Sequence, residues 1–361
     1  MPIRVLLVDD SAVMRTLLRT VLAGDPSISL VGVAADGVEA VAQAAALKPD
    51  IILLDIEMPR MNGLEALEAL RAQGSQARII MCSTLTRRGA GITLEALARG
   101  ATDYVAKPTA ANGPESALRT LREDLLPKIH ALSGRTAWPT TIRQVSIPPA
   151  AVRINRLRAV VIGVSTGGPA ALEKLLPALP SLFPLPVLIA QHMPQVFTSL
   201  LAERLNGLCA LRVCEASAGI IPEPGHVYIA RGDWHLEVLE GVAARAPRLQ
   251  LSQVAGNDFC RPSVDVLFRS AAAAYGAGVI AVMLTGMGSD GLEGVQVVRS
   301  RGGCVIAQDR ATSAVWGMPG VIVEAGLADR VLALDAIAAE LVRLALPASR
   351  FSHPAFNGAA V

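Results

Sequence analysis

Apolar and polar positions repeat along the first part of the chain, where a short β-branched run is followed by an amphipathic segment five times between residue 3 and about residue 130. Runs of this kind predict strands, and an apolar face with helical spacing predicts a helix. The alternation therefore predicts a flavodoxin-like (βα)5 domain, a parallel sheet with helices on both faces and ligands at the carboxyl ends of its strands. The predicted strands are Ile3–Val8, Ser29–Val33, Ile51–Leu54, Arg78–Cys82 and Thr102–Val105, and the predicted helices cover about 12–23, 37–47, 64–73, 89–99 and 114–130.

A second block of alternating strands and helices begins near residue 157, after a segment without periodicity that is stiffened by proline. It predicts a doubly wound, mostly parallel α/β domain. The predicted organisation is an N-terminal domain over 1–130, a linker over 131–156, a second domain over 157–350 and a loose tail over 351–361. The clearest strands of the second domain are Ala159–Val164, Pro186–Ala190, Val227–Ala230, Val279–Leu284 and Cys304–Ala307, with shorter strands expected between 211 and 252.

Length and composition agree with two packed domains. The chain has 361 residues, of which 52% are hydrophobic and 18% charged. Every apolar run ends well short of the ~20 residues that a membrane-spanning helix needs, and the chain opens directly into a predicted strand without the regions of a secretory signal. We therefore expect a cytoplasmic protein that does not insert into a membrane. The net charge of +2 and the 3% aromatic content argue against a nucleic-acid-binding surface.

The cysteines indicate neither a zinc site nor a disulfide framework, because none of them shows C-x-x-C spacing. We expect reduced thiols that lie mostly in the core, and no cofactor in the second domain. The five cysteines are Cys82, Cys209, Cys214, Cys260 and Cys304.

Charged and hydroxyl residues follow four strands of the first domain: Asp9 and Asp10, Asp55, Ser83 and Lys107. Taken singly, such aspartates cap helices and such a lysine is a solvated loop charge. Taken together at one edge of a sheet, three carboxylates require a cation, and an oxygen cluster of this kind suits Mg²⁺. The metal would neutralise an incoming phosphoryl group, Asp55 would attack phosphorus, and Lys107 and Ser83 would bind phosphoryl oxygens.

Three segments of the first domain resemble the receiver domain of two-component response regulators: VLLVDD at 5–10, LDIEMPRMNG at 54–63 and DYVAKP at 103–108. The resemblance implies that a histidine kinase supplies the phosphoryl group and that Asp55 accepts it. It also implies Mg²⁺ held near Asp9, Asp10, Asp55 and the backbone carbonyl of Glu57. The switch residues by this resemblance are Ser83, Tyr104 and Lys107.

The second domain contains G-x-S-x-G at Gly163–Gly167, after a predicted buried strand and before a predicted helix. This motif and its position between a strand and a helix indicate a nucleophile elbow, in which a sharp turn exposes the Ser165 hydroxyl near a helix N-terminus. The alternative is a phosphate-binding turn in which Ser165 only caps the helix. No lysine follows the glycines as in a P-loop, which weakens that alternative.

A serine nucleophile needs a base, and among the five histidines only His192 directly follows a predicted central strand. His226 and His235 flank a short strand and are expected to be structural, and His130 and His353 are expected to be solvated. Asp290, in a glycine-rich loop after a buried strand, would orient the imidazole, although an aspartate in S-D-G also suits a plain turn. Backbone N–H groups of that loop could stabilise an oxyanion.

Four motifs of the second domain resemble the chemotaxis protein-glutamate methylesterases: IGVSTGGP at 162–169, QHMP at 191–194, LTGMGSDG at 284–291, and QD at 308–309 through WGMP at 316–319. The resemblance implies Ser165 as nucleophile, His192 as base and Asp290 as its orienting carboxylate. It further implies that Thr166 assists at the site and that the backbone of Met287 contributes near the oxyanion. The implied substrates are glutamate γ-methyl esters on the cytoplasmic helices of chemoreceptors, with deamidation of receptor glutamines as a second activity.

Two alternative functions are open to the second domain. A DNA-binding or nucleotide-sensing effector would need a helical or basic module, which the sequence lacks. A general amidase or lipase would keep the same site but act on small substrates without receptors. Fusion to a phosphate-accepting domain favours the regulated esterase, with the first domain covering the second until Asp55 is phosphorylated.

Overall fold

The computed structural model describes residues 1–108, 113–134, 157–241, 246–254 and 260–346. Most of the predicted linker and the whole predicted tail lie outside these residues, as does His353. Two α/β domains are present, which confirms the predicted fold class. No helix in the described ranges is both long enough and apolar enough to cross a bilayer.

The first domain contains a five-stranded parallel sheet with the strand order β2-β1-β3-β4-β5. All residues of the third strand are buried, as expected for a central strand covered on both faces. The strands are β1 (Ile3–Val8), β2 (Ile28–Ala34), β3 (Ile51–Asp55), β4 (Arg78–Ser83) and β5 (Asp103–Ala106), and the helices are α1 (Ala12–Ala23), α2 (Gly37–Leu47), α3 (Gly63–Ala72), α4 (Arg87–Ala98) and α5 (Gly113–Leu132).

Side-chain caps explain where these helices begin. Asp36 accepts the backbone N–H of Glu39, and Asn62 forms a capping box with Glu65. The last helix, α5, extends two residues past the predicted domain boundary at 130, so the segment predicted as linker begins inside a helix. His130 was expected to be solvated, but it is half-buried and its Nε2 lies 2.7 Å from Asp25 Oδ2.

The second domain contains a seven-stranded sheet with the order β14-β13-β12-β6-β7-β9-β8, in which every neighbouring pair is parallel. Helices pack on both faces of this sheet, which is the arrangement of a doubly wound fold. The strands are β6 (Ala159–Val164), β7 (Val187–Gln191), β8 (Arg212–Glu215), β9 (His226–Ile229), β12 (Val279–Met283), β13 (Cys304–Gln308) and β14 (Arg330–Leu332), and the helices are α6 (Gly168–Leu175), α7 (Gln195–Leu208), α8 (Val264–Tyr275), α9 (Leu292–Ser300), α10 (Met318–Glu324) and α11 (Leu334–Ala345).

The short strands expected between 211 and 252 divide into two groups. Strands β8 and β9 complete one edge of the main sheet. Strands β10 (His235–Leu239) and β11 (Arg248–Ser252) form a separate antiparallel pair that packs on α8. His235 is buried at the start of β10, in agreement with a structural role.

The cysteines are all free, but only Cys82 and Cys304 are buried. The prediction that the thiols lie mostly in the core is therefore wrong for the other three, which are partly exposed. Cys260 is one of these, and its thiol interacts with the imidazole of His192.

Candidate active site

The acidic cluster of the first domain lies at the carboxyl ends of adjacent strands. One ligand oxygen each of Asp9, Asp10 and Asp55 lies within 4.8 Å of the others, the only such group of potential metal ligands found among the described residues. Lys107 Nζ lies 2.6 Å from Asp55 Oδ1 and 2.9 Å from Asp9 Oδ2. One lysine leaves two of the three negative charges uncompensated, so the cluster suits a divalent cation.

Burial raises the pKa of Asp55 to about 6, against the charge of Lys107 and with a smaller upward contribution from Asp9. Asp55 also borders a cavity of about 310 Å³ shared with Asp10, Glu57 and Lys107. Glu57 therefore lies beside the cluster, with its own side chain largely exposed. The cavity leaves room for a metal with water ligands and for a phosphoryl group.

The predicted switch residues lie on β4 and β5 or just after them. Ser83 is buried and its Oγ accepts a hydrogen bond from Thr93 of α4 at 2.7 Å. Tyr104 is buried against the second domain, where its ring stacks on Phe197 of α7 with a centroid distance of 4.4 Å and an interplanar angle of 16°. Ser83 is thus bonded to α4, and Tyr104 contacts the other domain.

In the second domain, Ser165, His192 and Asp290 follow β6, β7 and β12, which are adjacent strands of the parallel sheet. The structure brings their side chains together. Ser165 Oγ lies 3.2 Å from His192 Nδ1, and His192 Nε2 lies 2.7 Å from Asp290 Oδ2. Because a carboxylate only accepts, Nε2 carries the proton toward Asp290 and Nδ1 is left to accept the serine proton.

The turn that carries Ser165 depends on its glycines. Gly167 has a φ of +77°, a conformation that favours glycine, and a side chain on Gly168 would overlap Gln191. Gln191 in turn donates from Nε2 to the Ser165 carbonyl at 3.1 Å. The elbow is therefore held by close packing between the first turn of α6 and the end of β7.

His192 and Asp290 each shift the pKa of the other. Burial alone lowers the pKa of His192, but the hydrogen bond that His192 donates to Asp290 outweighs burial, with a further contribution from Cys260, and the pKa is raised. Burial alone raises the pKa of Asp290, but His192 and the backbone N–H groups of Val264 and Asp265 outweigh it, and the pKa is lowered. The carboxylate therefore stays ionised and favours a protonated imidazole.

Backbone N–H groups next to Ser165 are available to a developing oxyanion. Within the described residues, those of Thr166 and Met287 donate to no protein acceptor. The loop that carries Met287 is tied to the elbow, because Ser165 N–H donates to the Thr285 carbonyl at 3.0 Å and Thr285 Oγ1 donates to the Thr166 carbonyl at 2.9 Å. The loop that carries Met287 therefore lies directly against the turn that carries Ser165.

The first domain lies over this site. Its α4 packs against α6 and α7, and Arg87 pairs with Glu203 at 2.8 Å. Met287 packs on the apolar core of the first domain. Asp103 at the start of β5 is buried, and Thr166 lies close enough to its carboxyl to lower its pKa, although burial raises that pKa overall. The nucleophile turn is therefore in direct contact with β5.

Sequence reasoning missed Ser263, whose Oγ donates to Asp290 Oδ1 at 3.0 Å. A serine before a helical pattern is a recognisable N-cap, and Ser263 does cap α8. Its contact with Asp290 had no signal in the sequence, since the two residues belong to different loops and only packing of α8 against α9 brings them together.

Comparisons with known proteins agree with these two sites. Residues 160–341 match the CheB methylesterase family and residues 5–119 match the response regulator receiver domain. A protein-glutamate methylesterase/protein-glutamine glutaminase of Nocardioides sp. is 47% identical over 94% of this chain and 95% of its own length. The corresponding protein of Thermotoga maritima is 43% identical over 95% of this chain and 98% of its own length.

The second domain also resembles a solved structure. The crystal structure of the Thermotoga maritima CheB methylesterase catalytic domain is 43% identical, covers 52% of this chain and 98% of that chain, and gives a TM-score of 0.50. The relatives match both domains in the same order and over nearly their full length, which identifies the family. The chain belongs to the CheB methylesterase family, with a response regulator receiver domain at its N-terminal end.

Proposed function

We propose that this protein is a phosphorylation-activated serine esterase that hydrolyses glutamate γ-methyl esters on chemoreceptors and also deamidates receptor glutamines. The observation that carries the proposal is the hydrogen-bonded series Ser165, His192 and Asp290 at three adjacent strand ends. It acts in the cytoplasm during chemotactic adaptation, on the cytoplasmic helices of the receptors. The names of the relatives support both activities.

In the proposed reaction, His192 Nδ1 removes the proton from Ser165 as its oxygen attacks the ester carbonyl. The N–H groups of Thr166 and Met287 donate to the tetrahedral oxyanion. The imidazolium, held by Asp290, then protonates the departing methoxide, and methanol leaves. Water attacks the acyl-enzyme by the same route in reverse and releases the glutamate carboxylate. An amide substrate follows the same path with ammonia as the leaving group.

Asp55 is the proposed phosphorylation site, with a histidine kinase as phosphodonor. Mg²⁺ fits the cluster because Asp9, Asp10 and Asp55 supply oxygen ligands with excess negative charge, and the Glu57 carbonyl would complete the set. The metal, when bound, neutralises charge as the phosphoryl group is transferred. Lys107 then pairs with the phosphoryl oxygens, and Ser83 moves from Thr93 toward them. The loss of that bond to α4 would weaken the packing of α4 on α6 and α7.

Replacing Asp55 by asparagine is expected to abolish activation without lowering the basal rate. Methanol release by the wild type is expected to rise roughly tenfold with a small-molecule phosphodonor and Mg²⁺, a coupling typical of regulated enzymes. Asp55→Asn should give the same rate with and without the phosphodonor, because it lacks the attacking oxygen. The assay uses radiomethylated receptor membranes, and omission of Mg²⁺ serves as the control. Equal activation of wild type and variant would contradict the assignment.

Removing the receiver domain is expected to raise the basal rate. A protein that begins at residue 150 lacks the contacts that α4, Tyr104 and Asp103 make with the second domain, so we expect receptor helices to reach Ser165 freely. We expect methanol release by the truncated enzyme to be roughly tenfold faster than by the unphosphorylated full-length protein.

The truncation is controlled by comparing the truncated and full-length enzymes on a second, small substrate. A small ester that enters the covered site should be hydrolysed at similar rates by both proteins, which would separate altered access from altered chemistry. Equal rates of the two proteins on receptor membranes would contradict covering of the site by the receiver domain.

A further inference from the structure

The carboxylate of Asp290 is held mainly by the first residues of α8. Its Oδ1 accepts from Ser263 Oγ and from the Asp265 N–H, each at 3.0 Å, and its Oδ2 accepts from the Val264 N–H at 2.7 Å. The fourth donor is His192 Nε2, also to Oδ2. Both oxygens are therefore fully used, and the carboxylate cannot rotate without breaking several hydrogen bonds at once.

A second contact joins the same helix to the loop that carries Asp290. In this contact the helix residue is the acceptor and the loop side is the donor. The buried carboxylate of Asp265 accepts the Gly294 N–H at 2.5 Å and also interacts with the Gly291 N–H. Gly291 precedes α9 and has no side chain to cap it, so Asp265 supplies the missing cap. Donors from 263–265 thus fix the Asp290 side chain, and an acceptor from 265 fixes the backbone that follows it.

Ser263 is itself held in place. It is fully buried, its N–H donates to His235 Nδ1 at 3.2 Å, and its Oγ accepts the Val266 N–H at 3.4 Å as the N-cap of α8. With that lone pair occupied, the hydroxyl proton points to Asp290 Oδ1. Within the described residues, Ser263 is the only side chain other than His192 that donates to Asp290. Its hydroxyl is already oriented toward the carboxylate.

We propose that Ser263 is a positioning residue of the esterase, which fixes the rotation of the Asp290 carboxylate and thereby the orientation and protonation of His192. This inference rests on the proposed function. Ser263 does not touch the reacting atoms, and its effect passes through Asp290. Loss of the hydroxyl would leave Oδ1 with one donor fewer, so more of the negative charge would act on the imidazole and the carboxylate would gain freedom to rotate.

The test compares Ser263→Gly with Ser263→Thr in the full-length protein. Glycine caps a helix nearly as well as serine but has no hydroxyl to donate, whereas threonine keeps the hydroxyl. For Ser263→Gly we expect kcat to fall about tenfold with KM unchanged, and the acid limb of the pH profile to move to higher pH. Ser263→Thr is expected to restore both toward wild type. Ser270→Ala, on the same helix and bonded to Leu267 and Val238, is the matched control.

A second measurement is independent of turnover. The titration of the His192 imidazole, followed by nitrogen NMR, is expected to move to higher pH in Ser263→Gly and to stay in place in Ser270→Ala. If Ser263→Gly folds poorly, Ser263→Ala is measured in the same way. An unchanged kcat and an unchanged imidazole titration would overturn the inference and leave Ser263 as a helix cap only. A shifted titration in a protein whose wild type releases no methanol would support the inference while the proposed function failed.

Discussion

Ser165→Ala is expected to release methanol from methylated receptors roughly 10⁵-fold to 10⁶-fold more slowly than the wild type, as for other serine hydrolases that lose their nucleophile. The hydroxyl is the group that would form the acyl-enzyme, and its removal leaves His192 Nδ1 without the oxygen that it would deprotonate. The small size of alanine leaves the turn intact, because Gly167 and Gly168 provide its backbone conformation and close packing. The measurement is release of radiolabelled methanol by the activated protein.

The control for this variant is Ser300→Ala. Ser300 lies exposed at the end of α9, and among the described residues its hydroxyl bonds only to the carbonyl of Val297, so its loss should leave the rate and the melting temperature unchanged. Circular dichroism and thermal unfolding of Ser165→Ala should match the wild type. If the variant folds normally and still releases methanol at the wild-type rate, Ser165 is not the nucleophile and the serine esterase mechanism is contradicted.

Asp290→Asn is expected to lower kcat by about 10⁴-fold, as in other triads in which the orienting carboxylate becomes an amide. The amide nitrogen would donate to His192 Nε2, which moves the imidazole proton to Nδ1. That atom faces Ser165 at 3.2 Å and could then no longer accept the serine proton. In that orientation the amide nitrogen would also oppose the N–H group of Val264, which donates to the same oxygen in the wild type.

We also expect Asp290→Asn to change the pH dependence of kcat/KM. Asp290 raises the pKa of His192 above the ordinary value near 6.5, and the base must be neutral to act, so wild-type kcat/KM should still be rising with pH above that value. In Asp290→Asn the charge is absent, the pKa of His192 falls, and the acid limb of the residual activity should move to lower pH. Asp335→Asn, an exposed carboxylate of α11, is the control. An acid limb at the same pH in wild type and Asp290→Asn would contradict the pairing.

The strand ends of both domains were predictable because alternating runs and their flanking polar residues are local features. Predicted and observed strands agree within one or two residues; Asp9, Ser165 and His192 follow the strands expected, and Asp55 is the last residue of β3. The strand β14 was missed because its three residues are too short to form a pattern. The separate hairpin of β10 and β11 was not distinguished from the main sheet, since strand runs alone do not state their partners.

Contacts between distant segments were not predictable from any local pattern. Nothing near Ser263 signals Asp290, which lies 27 residues further along the chain. The stacking of Tyr104 on Phe197 and the position of Thr166 beside Asp103 also join segments far apart in sequence. The first contact depends on how α8 packs against α9, and the other two depend on how the receiver domain packs against the second domain.

The amino-acid sequence by itself determined the two parallel sheets, the order of their elements and the residues at the strand ends, because hydrophobic period and turn chemistry act over a few residues. Only the tertiary structure decided which of these residues meet, how the Asp290 carboxylate is oriented, and that the receiver domain contacts the turn that carries Ser165. The physical reason is that a hydrogen bond over about 3 Å requires two loops to be placed together. That placement comes from the packing of all the strands and helices beneath them.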